Sequence, residues 1–510
     1  MKLKYIYIAF LAMTMGLSSC TGFLDETSNP NYLTPTTFWK NEGDIHKGLI
    51  AAYARLQPSM NWGAPFERFI VLDNYRSDEL DFRADVTEWS NLAMFANSPN
   101  DWSCCMGEWG ELYKGINYSN QCIDNIPNVP DVSDDVKNRS LAEARFLRAY
   151  YYYRLYINFG ENLPLYEHEL KGSDDEFYPK QAEAGKIVSF IETELSQIQQ
   201  HLPEPDFWAA KNQHGRATKY MAAGILAKFY MFRNQLDKAE TELFKIIDSR
   251  KFDLLDNYAD LWDGLHKNSI EAVFEVQYSG NNEGGRREFN RIALHLAAGD
   301  AEGYEEAYPS KWLFETMKQD KTMNGTYSDR LYSTILFDDP KTTAFYFTEK
   351  KSKFTDWHKT SGAIYWHKFV TWDESLSDYW DWSAFNIPVI RYADVLLLYA
   401  ECLNHRGATP QAIEYINMVR DRADVTPLPL TMGKAEVLKH LQDVERPCEL
   451  ALEGSRWYDL IRWGIVEEAL KAHKKPYAEN YIETKHKLMP IPHDEFLLNP
   501  DWVQNPGFSK

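Results

Sequence analysis

The stretch that most constrains the fold runs from Ile387 to Arg422 and reads IPVIRYADVLLLYAECLNHRGATPQAIEYINMVRDR. Its first half, Arg391 to Asn404, is apolar on nearly all sides, so a helix formed there must be covered on more than one face. Gly407 favours the left-handed backbone that ends a helix, Thr409 can cap the next helix, and Pro410 fits the first turn of that helix. The segment therefore predicts a buried helical hairpin.

A second hairpin is predicted over residues 216–248, because small residues followed by a large apolar residue recur there at the same spacing. The equivalent positions are Ala227, Ala239 and Leu243 in the earlier hairpin, and Ala400, Ala412 and Ile416 in the later one. This pattern resembles the tetratricopeptide repeat. It predicts a mainly α fold, in which tetratricopeptide-like hairpins form a scaffold that carries long irregular loops and a few short strands.

The N-terminus has the pattern of a secretion signal. Two lysines precede an apolar run from Tyr5 to Leu17, and that run is shorter than the roughly 18 residues needed to span a bilayer. The residues that follow, Ser18-Ser19-Cys20, resemble a bacterial lipoprotein signal, in which acyl chains on Cys20 anchor the mature protein to a membrane. We expect a signal peptide over 1–19, a lipidated tether over 20–35 and one domain over 36–510. An ordinary signal peptide with a free Cys20 is the alternative.

The charge of the chain is strongly negative. Without residues 1–19, 53 basic residues face 75 acidic ones, a net charge of −22. Such a surface argues against nucleic acid and anionic lipid as partners, and it suits neutral ligands. Five cysteines remain besides Cys20, an odd number, so we expect buried free thiols rather than a disulfide framework, with the adjacent Cys104 and Cys105 as the pair to check.

Five collinear segments resemble the SusD/RagB family of Bacteroidetes outer-membrane lipoproteins. They include RYADVLLLYAECLNHRGATPQAIEYINMVRDRA and CELALEGSRWYDLIRWG, and they cover residues 23–56, 144–165, 391–423, 448–464 and 488–508. The resemblance does not extend through about 60–110 and 265–385, which are the variable, ligand-binding parts of this family. It implies a lipid-anchored protein on the outer face of the outer membrane that captures oligosaccharides for a SusC-like TonB-dependent transporter. The RagB branch captures peptides instead, and neither branch is known for catalysis.

The sequence contains no HExxH, GxSxG, GxxxxGK[ST] or paired CxxC pattern, so we expect no enzyme, cofactor or metal site. A glycosidase pair of carboxylates depends on spatial separation and stays open as an alternative. The acidic doublets Glu305-Glu306 and Asp338-Asp339 are interpreted as solvated surface. The charges at 445–446 and 449–456 are interpreted as ion pairs where helices pack.

Ligand-binding residues are expected in the irregular loops. A sugar offers an apolar face and a rim of hydroxyls, so its receptor needs flat aromatic rings beside Asn, Asp, Arg or Gln. The loops supply these types at Asn74, Tyr75, Arg83, Trp89, Tyr278, Arg287, Trp357 and Trp372. Each aromatic ring has the alternative of packing in the core of its loop.

The predicted function is that of a non-catalytic, cell-surface glycan-binding lipoprotein that delivers oligosaccharides to a SusC-like transporter. A RagB-like protein that captures peptides is the first alternative, and the net charge mildly favours cationic peptides for it. A surface glycoside hydrolase and a purely structural partner of the transporter are alternatives of other classes.

Overall fold

The structure, a computed structural model, describes residues 38–58, 64–170, 178–279, 288–346, 349–370 and 383–510. The expected signal peptide, Cys20 and the tether lie outside these ranges. None of the helices in the described ranges is both long and apolar enough to cross a bilayer.

The first half of the chain is built from helices, which confirms the predicted mainly α fold. Its α-helices are α1 (Glu42–Tyr53), α2 (Ala64–Phe66), α3 (Thr87–Ala93), α4 (Glu108–Asn125), α5 (Asp134–Phe159), α6 (Lys186–Ile198), α7 (Pro205–Ala209), α8 (Lys219–Phe232) and α9 (Leu236–Asp248). The region 60–110 is less irregular than predicted, because α3 and two π-helical turns, Glu67–Leu72 and Trp102–Gly107, fold its apolar residues into the core.

The second half contains shorter helices. They are α10 (Ile292–Leu296), α11 (Lys311–Gln319), α12 (Asp329–Thr334), α13 (Phe354–Trp357), α14 (Tyr392–His405), α15 (Thr409–Arg422), α16 (Lys434–His440), α17 (Arg446–Leu450), α18 (Arg456–Trp463), α19 (Val466–Ala472), α20 (Glu483–His486) and α21 (His493–Leu498).

The strands in the described ranges are short and pair antiparallel in twos. They are β1 (Leu80–Phe82) with β3 (Ala307–Pro309), β2 (Ala272–Val276) with β8 (Ile387–Arg391), β4 (Ile335–Phe337) with β7 (Ile364–Trp366), and β5 (Thr343–Tyr346) with β6 (Glu349–Lys353). Because two-stranded ribbons are marginally stable in water, each depends on the helices it packs against.

Both predicted hairpins are confirmed as α8–α9 and α14–α15, and α9 packs on α14 so that the two pairs form one array. The small residues at equivalent positions are fully buried, since side chains of that size let the paired helices approach closely: Ala227, Ala239, Ala400 and Ala412. Gly407 takes φ +93° after α14, as predicted. The prediction that Thr409 caps α15 is wrong, because the helix begins at Thr409 and its hydroxyl donates to Asn404 Oδ1 at 2.9 Å.

The charges at 445–456 form a buried ion-pair network, which confirms the interpretation from sequence. Arg391, at the end of β8, lies 3.0 Å from Glu449 and 2.7 Å from Glu453, and Arg422 on α15 also pairs with Glu449. Arg330 on α12 lies 2.9 Å from Glu445 and 3.2 Å from Glu449. The network therefore ties the hairpin α14–α15 to the irregular segments.

All five described cysteines are buried and free, which confirms the expectation of free thiols. Cys104 and Cys105 are adjacent but unbonded. Burial raises the pKa of both thiols well above the usual value, and it raises the pKa of Cys122 to about 12. These thiols are therefore inert packing residues.

We expect Glu449→Gln to destabilise the fold by about 3 kcal/mol or more, because removing one partner of a buried ion pair leaves arginines charged and incompletely paired. Urea unfolding followed by circular dichroism gives the free energy of unfolding. The matched control is Glu467→Gln, which removes a carboxylate that pairs with Lys471 at the surface and should leave stability unchanged. Equal effects of the two substitutions would contradict a structural role for the network.

Candidate functional site

The pairing of β1 with β3 brings the two variable regions of the sequence together. Leu80 lies opposite Pro309 and Phe82 opposite Ala307, so the loops that leave these strands meet at one edge. Beyond the strands, the peptide N–H of Arg83 donates to the Glu306 carbonyl at 3.0 Å. We call the surface formed there by Arg83, Asp85, Glu88, Trp102 and Tyr304 the convergent surface.

Arg83 is held in place at this surface. Its guanidinium donates to the Tyr304 carbonyl and to both carboxylate oxygens of Asp85, at 3.0 Å for Nε to Oδ1. The hydrogen bond to Asp85 raises the pKa of Arg83 and lowers that of Asp85. Because the side chain is exposed and its planar group is fixed, the pair presents charged donors and acceptors in a defined geometry.

Two aromatic rings are exposed on the convergent surface. Trp102 is 51% exposed and Tyr304 is 39% exposed. The Glu88 carboxylate accepts hydrogen bonds from the peptide N–H groups of Trp102, at 3.1 Å, and of Ser103, at 2.9 Å, which fixes the loop of Trp102 beside α3. The peptide N–H of Tyr304 donates to the Leu294 carbonyl at 2.8 Å. Both rings therefore stand on ordered backbone and offer apolar surface to solvent.

A buried aromatic cluster supports this surface from beneath. The predicted site residue Trp89 is only 7% exposed, and its ring centroid lies 5.2 Å from that of Phe66 and 5.7 Å from that of His295. His295 in turn meets Tyr304 edge to face at 5.4 Å. Burial lowers the pKa of His295 to about 3, so the cluster is uncharged at neutral pH. Trp89 thus supports Tyr304 and lies below the exposed surface.

Glu306 is the unexpected acidic group of the site. Its side chain lies beneath the surface, only 7% of the residue is exposed, and Oε2 accepts no hydrogen bond from the described residues. Burial raises the pKa of Glu306 to about 7, against the influence of Arg83 and together with that of Asp85. Its interpretation as solvated surface is therefore wrong, since sequence cannot show that β3 draws the second glutamate of the doublet inward.

A later part of the second variable region, residues 354–366, reaches the same neighbourhood. His358 follows α13 directly, and its Nδ1 lies 3.7 Å from Asp300 Oδ2. The ring of His358 also packs 4.5 Å from that of Tyr365 on β7. The predicted site residue Trp357 ends α13 and is half-buried against the main core.

Asn74 and Tyr75 do not lie at the surface, which corrects their predicted position. The Asn74 amide donates to the Phe69 carbonyl at 2.9 Å and accepts from the Gly454 peptide N–H at 2.9 Å. The Tyr75 hydroxyl donates to the Glu306 carbonyl at 3.1 Å. Because both side chains are buried and hydrogen-bonded within the protein, a ligand at the surface cannot reach them in this conformation.

Tyr278 lies apart from the convergent surface. It lines a cavity of about 690 Å³ between α1, residues 212–216 and β2, together with Tyr53, Gln57 and Asn268. The ring is buried, and the peptide N–H of Tyr278 donates to Asn386 Oδ1 at 2.9 Å. Arg287 and Trp372 lie outside the described residues, so their ligand-binding role stays a prediction.

Sequence reasoning missed Trp102, Tyr304 and Glu306. The signal for the two rings was present in their neighbours, because Trp102 stands between Asp101 and Ser103, and Tyr304 stands between Gly303 and Glu305. A large ring inside a polar run has few apolar neighbours to pack with locally. Glu306 had no comparable signal.

In the described part of the chain, one group of side chains has the composition and spacing that a metal ion could use. Asp260, Asp263 and His266 place oxygen and nitrogen atoms within 4.8 Å of one another. His266 Nδ1 lies 2.7 Å from Asp263 Oδ2, and Asp263 Oδ1 accepts from the Leu265 peptide N–H at 2.7 Å. These local hydrogen bonds account for the arrangement.

Comparison with known proteins gives consistent matches along the chain. A model described as the SusD family matches residues 270–508, and a model described as starch-binding associating with outer membrane matches residues 22–231. A SusD-like protein of Formosa agariphila is 26% identical over 510 residues, with 92% of this chain and 93% of that protein covered.

Two solved structures are similar to this chain in both fold and sequence. A SusD superfamily protein from Bacteroides vulgatus is 26% identical with a TM-score of 0.80, and the match covers 92% of this chain and 100% of that one. A laminarin-binding SusD-like protein is 26% identical with a TM-score of 0.74 and the same coverage.

We expect the stability of the protein to depend on Glu306 in a pH-dependent way. The folded state raises the pKa of this acid, so it binds a proton that the unfolded state releases, and stability falls as pH rises from about 4.5 to 7. Glu306→Gln removes this loss. The free energy of unfolding of the variant relative to wild type should therefore rise by about 1–3 kcal/mol between pH 5 and pH 8 in urea titrations.

The control for this prediction is Glu302→Gln, in the same loop but exposed. Its difference from wild type should be the same at both pH values. A Glu306→Gln variant that behaves like this control would show that Glu306 is ionised and solvated at neutral pH.

Proposed function

Because this chain belongs to the SusD family, we propose that it is a non-catalytic, cell-surface protein that binds oligosaccharides and delivers them to a SusC-like TonB-dependent transporter. In this proposal residues 1–19 are removed, Cys20 carries the lipid, and residues 20–35 tether the domain to the outer face of the outer membrane. The family description as associating with outer membrane supports this location.

The observation that carries the binding function is the pair of exposed rings on the convergent surface. Trp102 and Tyr304 come from distant parts of the sequence and are both presented on hydrogen-bonded backbone. Aromatic faces of this kind stack on the C–H face of a sugar ring, and neighbouring charged groups receive its hydroxyls. Arg83 and Asp85 supply such donors and acceptors beside Tyr304.

A surface of this kind is better suited to binding a neutral oligosaccharide than to catalysing a reaction on it. Its rings are open to solvent, and its ionised groups, Arg83 and Asp85, are already paired with each other. Such an arrangement binds by contact area and hydrogen bonds. Since one related structure is described as binding laminarin, we propose laminari-oligosaccharides as the first ligands to test.

We expect Trp102→Ala and Tyr304→Ala each to weaken oligosaccharide binding by about tenfold or more, because each removes a stacking face worth roughly 0.5–1.5 kcal/mol beyond the area it buries. Isothermal titration calorimetry on the domain from residue 36 measures this. The starting affinity should lie between millimolar and micromolar, about −4 to −8 kcal/mol.

The matched control for ring removal is Phe244→Ala, which deletes an exposed ring from α9 on the helical scaffold. This variant should bind like wild type. If both convergent-surface variants keep full affinity while their circular dichroism spectra are native, the glycan binds at another surface. Binding of peptides with no glycan response would replace the proposed ligand class.

We also expect Cys20→Ala to release the protein from the membrane, because the acyl chains would supply its attachment. Cell fractionation and metabolic labelling with a fatty acid measure the effect. The variant Cys402→Ala, which changes a buried thiol on α14, is the control and should remain labelled and membrane-bound. Retention of label by the Cys20 variant would contradict lipidation at this residue.

A further inference from the structure

A second, smaller pocket lies between α4, residues 164–170 and the C-terminal segment. Its volume is about 170 Å³, and its walls include Trp109, Tyr113, Tyr166, Trp502, Asn117 and Glu495. Ligand pockets for whole drug-sized molecules usually measure roughly 300–1,000 Å³. This pocket therefore has room for one ring or one side chain, and it shares no residue with the convergent surface.

The four aromatic rings of the pocket are fixed by their own contacts. Trp109 and Tyr113 lie one turn apart on α4, with ring centroids 5.0 Å apart. The ring of Tyr166 packs edge to face on that of Tyr113 at 5.8 Å. The Tyr113 hydroxyl donates to the Pro164 carbonyl at 3.1 Å, and the indole N–H of Trp502 donates to the Pro179 carbonyl at 2.9 Å. With the Tyr113 hydroxyl and both indole N–H groups already engaged, these rings offer π-surface to an occupant.

Glu495 gives the pocket a negative group that has no cationic partner among the described residues. Its Oε1 accepts from the Trp109 indole N–H at 3.0 Å, and the neighbouring residue is the exposed Asp494. Burial raises the pKa of Glu495, as expected for a carboxyl group that lacks a counter-ion. Arg148, which donates to the pocket residue Asn120 at 2.8 Å, is itself paired with Glu194 at 2.9 Å.

Aromatic rings around a carboxylate form a site of recognisable chemistry. The faces of Trp and Tyr attract cations, and a desolvated carboxylate favours an opposite charge beside it. A group without positive charge would leave the negative charge of Glu495 uncompensated by any of the described residues. A compact ammonium group satisfies both the rings and the carboxylate.

Gly110 leaves one side of the pocket open. It belongs to the pocket wall, and a Cβ built on it would meet no atom within 4 Å. A larger side chain at this position can therefore occupy the open space without moving neighbouring atoms. Replacing glycine also raises the helix propensity of this position.

We propose that this pocket binds the ammonium group of an amino-sugar residue in a glycan, a proposal that takes the glycan as ligand from the proposed function. The amino sugar's ring fits the space of a single unit, its C–H face meets the aromatic walls, and its ammonium group pairs with Glu495. In this proposal the convergent surface binds other sugar residues, and the two sites bind independently of each other.

The test compares three monosaccharides by calorimetry and by tryptophan fluorescence: glucosamine, N-acetylglucosamine and glucose. We expect glucosamine to bind at least tenfold more tightly than the two neutral sugars, with affinity that falls as salt is added. Glu495→Gln should abolish this preference. Gly110→Leu should abolish glucosamine binding by filling the pocket while the unfolding midpoint stays at or above that of wild type.

Several results would overturn the proposal. Equal binding of glucose and glucosamine would remove the charge recognition, and glucosamine binding retained by Gly110→Leu would place it elsewhere. Tighter binding of lysine amide than of glucosamine would assign the pocket to a peptide side chain. Trp102→Ala separates the two hypotheses, because it should weaken neutral oligosaccharides and leave glucosamine binding unchanged. If Trp102→Ala weakens only the binding of neutral oligosaccharides, both proposals are supported. If wild type binds glucosamine but no neutral oligosaccharide, the proposed function is refuted and the pocket proposal is not.

Discussion

The buried pairing of Arg391 with Glu449 and Glu453 is the interaction on which the rest of the structure depends. It joins the end of β8, where the hairpin α14–α15 begins, to α17, which carries Glu449, and to the segment after α17, which carries Glu453. Through Glu449 it also reaches Arg330 on α12, in the irregular part of the chain. Burying such charges is costly unless each is paired, so the network enforces one relative position of scaffold and loops.

Buried, paired charges also position the convergent surface. β1 and β3 have only three residues each, too few to hold two long loops by themselves. The residues just before β1 provide the anchorage, since Asp78 pairs with Arg456 at 2.7 Å and Glu79 accepts from the Leu452 peptide N–H at 3.1 Å. The exposed rings can therefore change by substitution while the anchorage beneath them stays the same.

The sequence was informative where a pattern repeats and uninformative where burial depends on distant partners. The spacing of Ala400, Ala412 and Ile416 predicted a hairpin because helical periodicity is local. Asn74 and Tyr75 have the composition of a sugar-binding loop, yet contacts with Gly454 and Glu306, hundreds of residues away, place them in the core. Trp102 was identifiable from its polar neighbours, whereas the inward position of Glu306 follows from strand pairing that no local pattern encodes.

The anchorage of β1 has a consequence for how the protein matures. Besides Arg456 and the Leu452 peptide group, it uses His473, 2.7 Å from Asp78, and Lys475, which donates to the Leu80 carbonyl at 2.6 Å. A ribosome makes residues 452–475 long after it has made β1. A chain that ends before these residues therefore lacks every one of the contacts named here that anchor β1.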